Sequence, residues 1–215
     1  MANGRIHLDE IAGCRTIIFA GSPHHSHHHP EGYRNWQKTH KNITFVYSFE
    51  DKIGRNPNYF KDVEGPKYIY LPDGEKKTIQ GMKVETIPVE SAFRMRGSGF
   101  LMEVDGLVIF YGDNHLLVSE SQRKAFCRPI DTLRDRGIEI DLLILPGNFA
   151  SGRIFPINLE GVEYAVKTLK AKAYLASGGD SEEFILLEVA AALAEYKNQT
   201  EIFCPEHRGD MFILK

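Results

Sequence analysis

Two apolar runs, Phe100 to Val104 and Leu107 to Phe110, flank the dipeptide Asp105-Gly106. Asp-Gly accepts the pair of positive φ angles that a tight hairpin turn requires, so the runs are predicted to pair as antiparallel strands. Apolar or alternating runs predict further strands at Thr16 to Ala20, Ile43 to Phe49, Tyr68 to Leu71, Lys83 to Val89, Gly99 to Val104, Leu107 to Tyr111, Leu142 to Leu145, Tyr174 to Ala176 and Met211 to Leu214. Helical spacing appears later in the chain. Leu159, Val162, Val166 and Leu169 recur on one face of a helix that Asn158 can cap and that runs to Lys170. Asp180 with Glu183 gives a start signal for a helix reaching about Lys197. A third helix is predicted over Glu120 to Arg136, bent or broken near Pro129 and ended by Gly137. The segment Asp51 to Pro66, rich in Asn, Gly, Pro and charge, is expected to be a loop.

Hairpins followed by helix and strand alternation predict an α/β layered sandwich, with residues 1–215 forming one domain and no internal repeat. A doubly wound dinucleotide fold is disfavoured. The Gly-rich stretch Arg96-Gly97-Ser98-Gly99 runs into a strand, not into a helix whose N-terminus would hold a pyrophosphate, and is expected to be a turn. A formal charge of -3 argues against nucleic acid as a partner. Cys14, Cys127 and Cys204 are odd in number and widely spaced, which disfavours a disulfide framework and fits a reducing, cytoplasmic setting. No run approaches the roughly 18 apolar residues of a membrane helix, and the N-terminus lacks a signal-peptide core, so a soluble protein is expected.

Chemistry is concentrated in one place. Five of the nine histidines fall in His24-His25-Ser26-His27-His28-His29, directly after the strand-like run Thr16 to Ala20. Alternate residues of an extended segment point the same way, and neutral imidazole is a good transition-metal ligand, so this tract is a candidate metal site. It also suits a solvent-exposed chelating tract. The run is internal and interrupted by Ser26, unlike a purification tag.

Three further segments carry a family resemblance. They are Gly81 to Val89 followed by Gly99 to Asp113, then Asp141 to Gly147 with Glu163 to Ala173, and last Pro205 to Leu214. In this order, from about residue 16 onward, the chain resembles the metallo-β-lactamase superfamily, in particular its L-ascorbate-phosphate-lactonase-like branch of zinc-dependent hydrolases. The resemblance implies an αββα four-layer sandwich. It also implies a metal motif of the form His-x-His-x-Asp-His after the first strand and a Gly-Asp, here Gly112-Asp113, that ligates metal.

The departures from the family pattern are specific. With Gly32 on the glycine that usually follows the motif, His25 and His27 match the first two ligands, His29 stands where Asp is expected and Pro30 where the last His is expected. A register starting at His24 keeps His28 and His29 but puts Ser26 on the second ligand. The family's mid-chain histidine is replaced by Glu90 or Ser91, and its late histidine by Ser177 or Gly178. The resemblance therefore implies a degenerate site of His25, His27, His29 and Asp113 holding at most one zinc or other divalent transition metal. Asp113 is expected to be third ligand or the base that orients the attacking water. Glu90 and His115 are secondary candidates, and Arg94 and Arg96 are either anion-pairing groups or solvated loop charges. The implied activity is hydrolysis of an ester, lactone or phosphoester bond, weakened or lost. The other reading is a non-catalytic binding or scaffold protein.

Only about fifteen residues precede Thr16, where relatives form several strands, so truncated N-terminal strands are expected. A sheet edge exposed in this way favours pairing with another copy, so a homo-oligomer is expected.

Overall fold

The computed structural model describes residues 16–22, 42–49, 68–90, 96–113, 115–147, 156–177, 183–204 and 212–214. Their strands form two sheets. The smaller is parallel, in the order β1 (Thr16–Ala20), β2 (Ile43–Tyr47), β3 (Tyr68–Tyr70). The larger has seven strands in the order β10 (Glu201–Phe203), β9 (Ala173–Ser177), β8 (Leu142–Pro146), β7 (Leu107–Tyr111), β6 (Arg96–Val104), β5 (Met82–Glu90), β4 (Lys76–Ile79). Its β4 to β7 half is an antiparallel meander and its β7 to β10 half is parallel. The parallel half is joined through α1 (Arg123–Asp135), α2 (Pro156–Leu169) and α3 (Glu183–Ala192), as parallel strands require long crossovers.

Alternation along the strands divides the core in two. Leu101, Val108, Phe110, Leu143, Leu145 and Tyr174 face the helices, where they meet Phe126, Ile130, Leu133, Val162 and Val166. Phe100, Met102, Ile109 and Tyr111 face the other way, against Val46, Ile17, Phe19 and Ile69 of the smaller sheet. The result is an α/β sandwich with helices, seven-stranded sheet and three-stranded sheet stacked in that order among the described residues. No helix among them is long and apolar enough to cross a membrane.

The expected hairpin is present, with Asp105 at φ 51° and Gly106 at φ 82°. The helix near residue 120 begins with a 3-10 turn at Glu120–Gln122, continues as α1 through Pro129 and ends before Gly137 at φ 65°. Four expectations need correction. Asn158 is not a cap: α2 begins at Pro156, whose ring suits the first turn, and the fully buried Asn158 amide donates to the Leu117 carbonyl at 2.5 Å. The last helix stops at Ala192, before a 3-10 turn at Ala194–Tyr196 that lets the Tyr196 hydroxyl donate to Glu163 at 2.8 Å. Residues 212–214 are not a strand; the edge position belongs to β10, which Thr200 helps to seat by donating to the Ala171 carbonyl. Arg96 to Gly99 are not a turn but the first residues of β6, paired with β5 from Glu90↔Arg96 onward. Asp51 to Pro66, Asp180 and the residues before Thr16 lie outside the described residues.

Candidate metal centre

Strands β1, β2, β7, β8 and β9 end at one edge of the sandwich, where Gly21, Ser48, Asp113, Gly147 and Ser177 lie at or just beyond the strand ends. The two sheets touch there through backbone. The Ser98 amide donates to the Gly21 carbonyl at 2.9 Å. A Cβ on Gly21 would stand 1.8 Å from the Ser98 carbonyl oxygen and 3.2 Å from the Asp113 Cβ, and one on Gly97 would stand 2.2 Å from the Gly21 oxygen. Only glycine allows this approach. It sets the end of β1 against Asp113, and Ser22, 3% exposed, is the last described residue before the histidine tract.

Asp113 is buried, with its backbone in the left-handed region at φ 52°. The strand ends at Tyr111, and the chain turns through Gly112, where any Cβ would meet Leu145 Cδ2 at 2.3 Å. Tyr111 lies two residues before Asp113, and its hydroxyl donates to Asp113 Oδ1 at 2.9 Å. This bond fixes the direction of the carboxylate. Nearby, the fully buried Ser98 hydroxyl donates to the Asp73 carboxylate, which reaches in from the connection between β3 and β4. Sequence reasoning passed over Tyr111, Ser98, Asp73 and Gly21. Tyr111 carried a usable signal, since alternate strand residues share a face. The others depend on contacts between segments 25 to 92 residues apart in the chain.

His115 faces away from this edge into the helical layer. It is 1% exposed, its ring stacks on Phe126 at 4.4 Å and 11°, and Nε2 donates to the Phe126 carbonyl at 2.8 Å. A carbonyl only accepts, so Nε2 carries the proton. Pro129 lacks the N–H that would bond within this turn of α1, and His115 supplies a donor to the same turn.

The other candidates are placed less completely. The backbone puts Glu90 and Arg96 opposite each other at the ends of β5 and β6. Ser177 ends β9 beside Pro146, and its carbonyl accepts from Gly147 N at 3.0 Å. His25, His27, His28, His29, Pro30, Ser91, Arg94 and Gly178 lie outside the described residues. Among the described residues no three His, Cys, Asp or Glu side chains come together in a group able to hold a metal. The buried, oriented Asp113 carboxylate is a suitable single donor beside Gly21, which precedes His24 by three residues in the chain.

No protein-family model and no curated protein matches this sequence. Solved structures do. A metallo hydrolase, Igni18, from Ignicoccus hospitalis KIN4/I superposes with a TM-score of 0.63 at 14% identity, covering 95% of this chain and 82% of that one. The metallo-beta-lactamase fold protein YhfI from Bacillus subtilis gives 0.58 at 10% identity, covering 92% and 80%. CmlA, a diiron beta-hydroxylase from Streptomyces venezuelae, gives 0.58 at 8% identity over 87% of this chain, which spans 43% of that longer protein. With its paired sheets, its helical layer and its strand ends gathered at Asp113, this chain has the metallo-β-lactamase fold.

Proposed function

We propose that this protein is a metal-dependent hydrolase of degenerate design, related to the lactonase-like branch, in which His25, His27, His29 and Asp113 hold at most one divalent transition metal, zinc by preference. The observation that carries the reading is the contact of Gly21, three residues before His24 in the chain, with the buried Asp113 at the strand-end edge. The solved structures of this fold include a metallo hydrolase and a diiron hydroxylase, which supports a metal at this edge in general.

A bound zinc lowers the pKa of a water ligand and polarises a carbonyl or phosphoryl oxygen. The chain's own contribution is positional. Tyr111 holds Asp113 Oδ1, and the carboxylate held in this way would ligate the metal or orient an attacking water. Ligand arithmetic limits the site to one metal. Pro30 has no donor side chain, Ser177 offers only a hydroxyl, and His115 is committed to Phe126. Three or four ligands suffice for one zinc and leave a second without donors.

The test is metal content by mass spectrometry on untagged protein prepared without metal-affinity resin and dialysed against a mild chelator. Hydrolysis of phosphodiester, thioester and lactone substrates is measured on the same sample. The expected result is at most one equivalent, released by His25→Ala, His27→Ala or Asp113→Ala, with slow turnover. Two tightly held equivalents with brisk turnover would overturn the degenerate-site reading. A folded protein that takes up no metal would move it to the binding or scaffold class.

A further inference from the structure

A second concave site lies at the other edge of the large sheet, beside the Gln80-Gly81 and Asp105-Gly106 hairpins. Strand register builds its floor on the helix-facing side. Two cross-strand rows run through it, Lys76–Glu85–Leu101 and Thr78–Lys83–Glu103–Val108. Helix α1 ends at Asp135, and Arg136 and Ile138, just past its end, form a wall of the cleft. This open cleft has a volume of about 430 Å³, the size of a small-molecule pocket.

The chemistry of the lining is amphipathic. Leu101, Val108 and Ile138 are partly buried and belong to the core cluster, so the floor is apolar. Four cations, Lys76, Lys77, Lys83 and Arg136, line the site with two carboxylates, Glu85 and Glu103. Arg136 grips both oxygens of Glu85 at 2.8 and 2.6 Å, and Lys76 approaches the same carboxylate at 3.4 Å. Lys83 pairs with Glu103 at 2.8 Å, but its side chain remains 68% exposed, and such a pair is weak in water. Burial raises the Glu85 carboxyl pKa, and Arg136 and Lys76 together outweigh that and hold it below the ordinary glutamate range. Glu85 is therefore charged and compensated, and on the helix-facing side Lys76, Lys83 and Arg136 leave one positive charge in excess of Glu85 and Glu103 over an apolar floor.

We propose that this cleft binds a small amphiphilic anion, a molecule joining an apolar body to one carboxylate, with the body on Leu101, Val108 and Ile138 and the carboxylate between Lys76 and Lys83. Neither lysine needs to break the Arg136–Glu85 pair to reach it, and removing the anion's charge from water is offset by two ammonium groups. The site is independent of Asp113.

The full-length protein is titrated with octanoate, octylammonium and inorganic phosphate while the methyl resonances of Leu101, Val108 and Ile138 are followed by NMR. Octanoate is expected to shift these methyls to saturation. Octylammonium, which has the same apolar body and the opposite charge, and phosphate, which has charge without the body, are expected not to. Lys76→Gln with Lys83→Gln should weaken octanoate by about tenfold or more, since both charge-assisted contacts are lost. Asp113→Ala should leave octanoate affinity unchanged whatever it does to bound metal. Octanoate shifts that never saturate, equal binding of octylammonium, binding of phosphate as tight as octanoate, or full affinity in the double lysine variant would each overturn the proposal.

Discussion

Asp113 and His115 stand two residues apart and serve opposite sides of the sheet. Gly112, too crowded by Leu145 to carry a side chain, begins the turn, and the left-handed backbone of Asp113 completes it. The carboxylate then stays at the strand-end edge under the Tyr111 hydroxyl, while His115 enters the helical core on Phe126. His115→Ala is expected to destabilise the protein by about 2–4 kcal/mol, because a buried ring is lost and the Phe126 carbonyl loses its donor. Urea denaturation measures the loss. Metal content should not change, and a variant that kept its stability but lost metal would return His115 to the ligand set.

Among the elements, β1 and β6 meet closely enough to exclude every side chain but hydrogen at Gly21 and Gly97. Gly21→Ala puts a methyl carbon onto the Ser98 carbonyl, a backbone group with no rotamer through which to yield. The sheets must separate at that edge, at a cost of about 1–3 kcal/mol or more. The variant is expected to melt earlier and, as the end of β1 withdraws from Asp113, to hold metal more weakly than wild type. Unchanged melting and unchanged metal affinity together would show that the edge tolerates separation and that its closeness has no bearing on the site. Strand β4 shows a different element-scale effect. Its Lys76-Lys77-Thr78 has no apolar alternation to announce a strand, yet it pairs with β5 through the tight Gln80-Gly81 turn. Lysines on a terminal strand also discourage pairing with other chains.

At the scale of the whole molecule, the smaller sheet has, among the described residues, three strands, with β1 at one end of it. The proposal that the protein self-associates rests on that terminal strand and predicts a dimer or larger species in sedimentation velocity at micromolar concentration. Lysine-rich β4 protects one end of the larger sheet, which directs the expected contact to the smaller sheet. A clean monomer would mean that the chain covers β1 by itself.

The local pattern of the sequence determined the strands of both cores other than β4 and β10, the Asp105-Gly106 turn and the Pro129-containing helix, because each depends on side-chain period or on backbone preferences of one or two residues. Asp113 was singled out through the family resemblance, which also pointed to the fold, and the structure finds it buried at the strand-end edge. What tertiary structure decided was everything settled by distance across the sandwich. It assigned Gly97 and Gly99 to a strand, since these glycines answer to Gly21 and to the Phe110 ring and not to a turn. It turned Asn158 from a cap into a buried donor for Leu117, and His115 from a possible ligand into a partner of Phe126. Among the described residues it made a cleft over the rows from Lys76 to Val108, walled by Arg136 and Ile138 just past the end of α1. A single sequence encodes which face a residue takes, whereas which distant backbone or carbonyl waits on that face exists only once the layers have packed.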